Sequence, residues 1–428
     1  MFYYIMHVGR EEMAELVVIG AGAAGMMAAI TAAECGHSVT VLEKNEKPGR
    51  KIYITGKGRC NLANDCDQDT FFAAVKRNPR FLYSAYDRFN AQDSLQFFQK
   101  LGLAIKTERG NRVFPASDKS SDVIRVLEQR MKELGVTVFY RTAVSKVVRN
   151  DGRVSAVQTE NGKLFKADAC IVATGGLSYP STGSTGDGYR FAKEAGHTVT
   201  DLSPSLVAII LKEKNVKRLE GLSLKNVSLS MTTVVEKKGK KVDKQIYNGF
   251  GEMLFTAEGI SGPLSLSASS ELASGFSQGT VAEIDLKPAL SMEQLEHRVL
   301  NDFKENINRQ FRNALGALLP SRMAEYIVDA SGINPYVQVN QVTQQERHHL
   351  CEMIKHLRFH VEKLGGYREA VITRGGVNVK EVNPTTMESK IVPGLYFAGE
   401  VLDLDALTGG FNLQIAWTTG FAAGNGIV

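Results

Sequence analysis

Two kinds of hydrophobic pattern divide the chain. Residues 16–19 (LVVI) form an unbroken apolar run, as in a strand buried on both faces of a parallel sheet. An alanine-rich stretch at helical period follows to about Cys35, Gly36 ends it, and Ser38–Leu42 reads as a second strand. Residues 66–100 read as helical, and "VTVFY" (136–140) and residues 169–173 as further strands. Beyond residue 203 the pattern shortens. "SLVAIIL", "LSLKNVSLSMTTVV", "KQIYNGFGEMLFT" and "GTVAEIDLK" alternate in part and are separated by turn residues, predicting a small barrel or sandwich. From "SMEQLEHRVLNDFKENIN" to "QQERHHLCEMIKHL" the period is helical again. A strand at 395–398 and a helix from near Phe411 through Trp417 to Ala423 close the chain.

The first strand–turn–helix carries chemistry. Gly20, Gly22 and Gly25 give GxGxxG between the strand and the alanine-rich helix. In such a turn the first glycine bends the chain, the second admits a pyrophosphate to the backbone, and the third lets helix pack on strand. The helix N-terminus adds unpaired N–H groups and partial positive charge. Glu43, 23 residues after Gly20, ends the second strand, where a carboxylate accepts from ribose hydroxyls and repels a 2′-phosphate. A dinucleotide adenosine site is therefore expected, with FAD or NAD open at this point.

Glycines cluster again in "ATGGLSYPSTGSTGDGY" (173–189), "TRGGV" (373–377) and "GLYFAGEVLDLDALTGGFNLQ" (394–414), and none of these clusters falls between 200 and 360. The organisation expected is a dinucleotide-binding domain in two parts, 13–200 and 363–428. A substrate or cap domain over 201–362 interrupts it, β-rich at 203–290 and helical at 291–358. A length of 428 residues suits two or three domains. The amides from about Gly410 to Leu413, with Gln414, are placed to stabilise negative charge on the pyrimidine edge of a reduced flavin. Gly375 and Gly376, lacking Cβ, are candidates for the face of a flat ring or its substrate.

Composition narrows the class. No run reaches the roughly 18 apolar residues of a membrane span. Cys35, Cys60, Cys66, Cys170 and Cys351 form no CxxC, which speaks against a flavin-linked disulfide reductase and for a reducing cytoplasm. Lysines concentrate in 211–220 and 236–244, a solvated face or a polyanion contact. His349, His356 and His360 tempt a metal reading, but residues 358–363 read as strand and no carboxylate cluster supports it; no metal is expected. Arg10-Glu11-Glu12 could be AGG-GAG-GAA, a ribosome-binding site read as codons, so Met13 is expected to be the natural start.

Together "GAGAAG" with Glu43, "GRKIYITGKGRCNLAN", "ATGGLSYPSTGSTGDGY" and "ESKIVPGLYFAGEVLDLDALTGGFNLQIAWTTGFAAG" resemble a bacterial flavoprotein family of the two-dinucleotide-binding-domain class. It includes NAD(P)/FAD-dependent oxidoreductases, aminoacetone oxidases, bile-acid ene-reductases and ribosomal RNA dihydrouridine synthases. Lys57, Ala406 and Phe411 depart from the family's GGGRCN and DGxTGGYN, putting substrate preference rather than cofactor in doubt. The resemblance implies an α/β fold: a Rossmann-like, glutathione-reductase-type FAD-binding domain interrupted by a β-barrel-like plus helical insert. It implies non-covalent FAD, with NAD(P)H as a transient reductant. The adenosine half is expected on Gly20, Gly22, Ala23, Ala24, Gly25, Glu43, Lys44 and Val144, with Ala173, Thr174 and Gly175 passing beneath it. The rest is expected along Arg50, Lys51, Gly56, Gly58, Arg59, Cys60 and Asn61, and on Gly399, Glu400, Gly409, Gly410, Phe411, Asn412, Leu413 and Gln414.

The activity implied is hydride transfer between flavin and a carbon conjugated to a carbonyl or alpha to an amine. The leading expectation is reduction of a conjugated C=C in a small molecule or nucleobase. An amine or aminoketone oxidase releasing hydrogen peroxide, and a dihydrouridine synthase acting on ribosomal RNA, stand beside it. Candidate proton donors are Cys60, Tyr179, Asp187 and Arg374.

Overall fold

The computed structural model describes residues 13–237, 240–273, 276 and 279–427. The first twelve residues and Lys238 and Gly239 of the second lysine cluster lie outside them. The described chain divides into two compact units: its two ends, up to Pro204 and from Val371, form one, and Ser205–Ala370 form the other.

The first unit is built on a five-stranded sheet in the order Leu395–Phe397, Ala169–Val172, Glu15–Ile19, Ser38–Leu42 and Thr137–Phe139, all parallel. Leu16 to Ile19 are buried on both faces, which is why they read as a continuous apolar run rather than an alternation. The helix Ala23–Glu34 is apolar nearly all round because the helices Phe411–Gly424 and Ser120–Glu133 pack on it. Its approach to Phe411–Gly424 is close: a Cβ at Gly420 would stand 2.5 Å from the Ala24 carbonyl oxygen. An antiparallel meander, Val144–Asn150, Arg153–Thr159 and Leu164–Lys166, and a small sheet of Ala63–Asn64, Ile105–Glu108 and Arg112–Pro115 complete the unit.

The second unit contains a closed six-stranded barrel. Its long hairpin, Ser223–Lys237 with Lys240–Phe255, alternates as expected, Val227, Leu229 and Met231 facing inward. Leu357–Leu364 closes the barrel, turning Phe359 and Val361 inward and Arg358 and His360 outward. The histidines therefore take separate partners: His349 faces Glu352, His356 faces Glu283 and His360 faces Glu213. The helices Met292–Glu305 and Gln344–Lys355 begin with capping boxes at Ser291/Gln294 and Thr343/Glu346. Among the described residues no helix is long and apolar enough to cross a membrane.

Candidate functional site

The ends of four parallel strands, at Ile19, Leu42, Ala173 and Ala398, line one cleft of about 1280 Å³, part of it open to solvent. This is the crevice outside the carboxyl ends of the strands where open α/β sheets hold ligands.

The three fingerprint glycines meet different surroundings. Gly20 has φ +101°, and a Cβ there would stand 2.7 Å from the Ala173 carbonyl oxygen. At Gly25 a Cβ would lie 1.9 Å from the Gly20 carbonyl oxygen, so this glycine lets the helix seat on the turn. At Gly22 a Cβ would meet nothing within 4 Å, and Gly22 lines the cleft. The helix Ala23–Glu34 starts here with no side-chain cap, leaving its first N–H groups for a ligand anion.

Glu43 is buried at the tip of its strand. One carboxylate oxygen accepts from the Ala21 N–H at 2.7 Å; the other accepts from the Asn45 N–H at 2.8 Å and from its side-chain amide at 2.7 Å. A carboxylate offers about four acceptor positions; three are used, leaving one for a hydroxyl. Lys44 donates to Thr185 at 2.6 Å and pairs with Asp187 at 2.7 Å, and Arg50 donates to Asn45 at 2.9 Å. Lys51 bridges Glu400 at 2.5 Å and the Ser178 hydroxyl at 2.6 Å. Glu400 also accepts from Ser178 and from the Thr373 N–H at 2.8 Å, so the cleft wall carries a balanced charge pair.

Gly20, Gly22, Ala23, Ala24, Glu43, Lys44, Arg50, Lys51 and Val144 all line this cleft. So do Ala173, Thr174, Gly175, Asp187, Gly399, Glu400, Asn412 and Leu413. The remaining expected residues do not. Gly56 and Gly58 have positive φ in a tight turn, and Arg59 turns away from the cleft to Glu108 and Asp118, its guanidinium 4.1 Å over the Phe114 ring. Cys60 is fully buried, and desolvation pushes its thiol up to about 12. Phe411 is buried near Phe71, and Gln414 is buried with its amide donating to Thr418 at 3.1 Å. Gly409 and Gly410 pack on Phe411 and on the backbone of Ala63. Tyr179 and Arg374 also lie outside the lining.

Gly375 and Gly376 do not offer an open face. A Cβ at Gly375 would lie 2.1 Å from the Asp201 carbonyl oxygen and one at Gly376 2.6 Å from that of Val401; both glycines serve backbone packing. The lining also includes residues not anticipated, among them Asn45, Thr55, Thr142, Ile372 and Leu404. Thr142 lies two residues beyond "VTVFY" (136–140) and two before Val144, which is among the expected residues.

A glycine turn, an uncapped helix start and a buried acid at the end of a parallel sheet define a Rossmann-type dinucleotide-binding domain. The family model described as the HI0933-like protein Rossmann domain matches residues 14–426, and the chain belongs to that family. It is 33% identical over 414 residues to the ribosomal RNA dihydrouridine synthase of Haemophilus influenzae, covering 96% of this chain and 98% of that one. It is 30% identical over 419 residues to the 3-dehydro-bile acid delta(4,6)-reductase of Clostridium scindens, covering 96% and 98%. The fold is also similar to the 3-ketosteroid delta1-dehydrogenase structure from Sterolibacterium denitrificans: TM-score 0.52 at 14% identity, over 97% of this chain and 99% of that one.

Proposed function

We propose that the protein is an FAD-dependent reductase that delivers hydride to a C=C conjugated to a carbonyl, recharged by NAD(P)H. The observation that carries this is one continuous cleft joining the Gly20–Gly25 turn and Glu43 to Asn412 and Leu413 at the start of the Phe411–Gly424 helix. Its donor set fits the cofactor: helix amides for the pyrophosphate, an acceptor for ribose, and backbone amides at the far end. When bound, FAD supplies the hydride chemistry.

In this reading, Gly22 and the first turn of Ala23–Glu34 hold the phosphates and Glu43 accepts a ribose hydroxyl. The Lys51–Glu400 pair keeps that stretch of the cleft close to neutral. Cys60, buried and with a raised pKa, is not the proton donor. Two relatives bear names for reductions of this kind: a bile-acid delta(4,6)-reductase and an enzyme forming dihydrouridine, in which the ring C=C beside a carbonyl is saturated.

A ribosomal RNA substrate is the second reading. It is favoured by the Haemophilus relative and by the basic run 211–220, where Lys212, Lys214, Lys217 and Arg218 are exposed. Purified protein should release FAD on acid precipitation. Its flavin, reduced anaerobically, should be reoxidised by an enone or by unmodified ribosomal RNA. Rapid reoxidation by oxygen with stoichiometric peroxide, and by neither acceptor, would establish the oxidase instead.

A further inference from the structure

The loop "TGKGRC" (55–60) does not line the cleft beyond Thr55, yet it is unusually constrained. Gly56, Lys57, Gly58 and Cys60 all have φ between +59° and +84°. Lys57 and Cys60 carry a Cβ, so their left-handed conformations cost energy and persist only where surrounding contacts enforce them. Those contacts are visible. The Cys60 N–H donates to Thr55 O at 2.9 Å, and the Gly58 carbonyl accepts from the Ser120 N–H at 2.9 Å. Arg59 is gripped by Glu108 and by Asp118, the latter at 2.8 Å through Nε, and Lys106 joins Asp118 at 2.6 Å.

The next residue is what this clamp presents. Both ends of the Asn61 amide are satisfied only with its oxygen turned toward the Phe411–Gly424 helix, and the orientation is assigned on that ground; Asn61 then accepts from the Gly410 N–H at 3.1 Å. Its amide nitrogen then donates to Ala63 O at 3.1 Å and Val113 O at 3.3 Å. Gly410 is the residue before that helix, has φ +101° and supplies no side-chain cap. One amide thus ties the helix start to two sheet carbonyls, and two and three residues beyond Gly410 stand Asn412 and Leu413, which line the cleft.

We infer that Asn61 is a positioning residue, held in place by the Arg59–Glu108–Asp118 clamp, that sets the direction of the amides at the start of the Phe411–Gly424 helix. This rests on the FAD reading above. Amides at a helix start stabilise negative charge only while they point at it, so Asn61 tunes the reduced cofactor without touching it.

The test uses purified full-length protein reconstituted with FAD, comparing wild type, Asn61→Ala and Asn61→Asp by circular dichroism, FAD titration and midpoint potential of the bound flavin. Asn61→Ala removes all three bonds. It should raise the FAD dissociation constant about tenfold, the equivalent of one net hydrogen bond's loss, and lower the potential. Asn61→Asp keeps the acceptor for Gly410, relieving the affinity loss, but adds negative charge at the helix start and should also lower the potential. A residue that merely supports the fold would lower thermal stability and leave the potential of the bound flavin alone. An unchanged or raised potential in the variants that fold overturns the inference. Wild-type protein that takes up no FAD would instead overturn the cofactor reading.

Discussion

Two glycines of one fingerprint should respond to the same substitution in opposite ways. At Gly25 an alanine Cβ would lie 1.9 Å from the Gly20 carbonyl oxygen, where an ordinary contact begins near 3.4 Å. Backbone must therefore open by about 1.5 Å between two segments that both carry the sheet's first crossover. Overpacking of this kind costs about 1–3 kcal/mol, here toward the upper end because neither atom is on a flexible side chain. Replacing a helical glycine by alanine returns only about 0.5–1 kcal/mol. The expected net loss for Gly25→Ala is about 2 kcal/mol. At Gly22 φ is −84° and no atom lies within 4 Å of the new methyl, so the apoprotein should be as stable as wild type, or more stable by up to ~1 kcal/mol. That methyl stands where the backbone must approach the pyrophosphate, so FAD affinity should fall at least about tenfold, ~1.4 kcal/mol. The single tryptophan, Trp417, is buried in the same unit and reports urea unfolding of the apoprotein. Flavin fluorescence quenching reports binding. Gly22→Ala protein that binds FAD like wild type, or Gly25→Ala protein as stable as wild type, would refute the reasoning.

Other outcomes follow from buried groups. Cys60→Ser should leave the rate of hydride delivery in single turnover unchanged, because the thiol lies outside the cleft; a rate drop with flavin still bound would restore it as a donor. Asp403 is buried and grips Arg77 through both oxygens, at 2.5 and 2.6 Å. Asp403→Asn should cost about 1.5–3 kcal/mol, the range for hydrogen bonds to charged groups, and lower the temperature at which flavin is released; an unmoved release temperature would count against it. Burial holds His197 below its ordinary 6.5, against the opposing pull of Glu381. The unfolded chain then takes up the proton first, so stability is full above about pH 6.5 and falls as pH drops below it. In His197→Gln the drop in melting temperature between pH 7.5 and about pH 5.5 should shrink; an identical drop would exclude His197 as its source.

What was legible in the sequence was local. Gly20, Gly22, Gly25 and Glu43 lie within 24 residues, and strand, turn, helix and strand follow one another without outside help. The barrel strands showed their alternation, but closure did not: Leu357–Leu364 pairs with Ile209–Leu211, and nothing near either segment announces a partner some 150 residues away. The direction of a loop side chain was not legible either. Arg59 turns from the cleft because Glu108 and Asp118 are brought beside it by a hairpin fifty residues on. Gly375 and Gly376 read as an open face because their Cβ space belongs to Asp201 and Val401, which sequence spacing does not relate to them.

The central claim is tested most directly by one anaerobic experiment on the protein as purified. Its flavin is identified, bleached with NADH or NADPH, and mixed with a panel of cyclic enones and unmodified ribosomal RNA, with reoxidation followed by absorbance and product by mass. The account predicts FAD in near-stoichiometric amount and one acceptor that restores the oxidised spectrum while gaining two hydrogens per flavin. Protein that carries no flavin and binds none, or reduced flavin that only oxygen reoxidises, would contradict it.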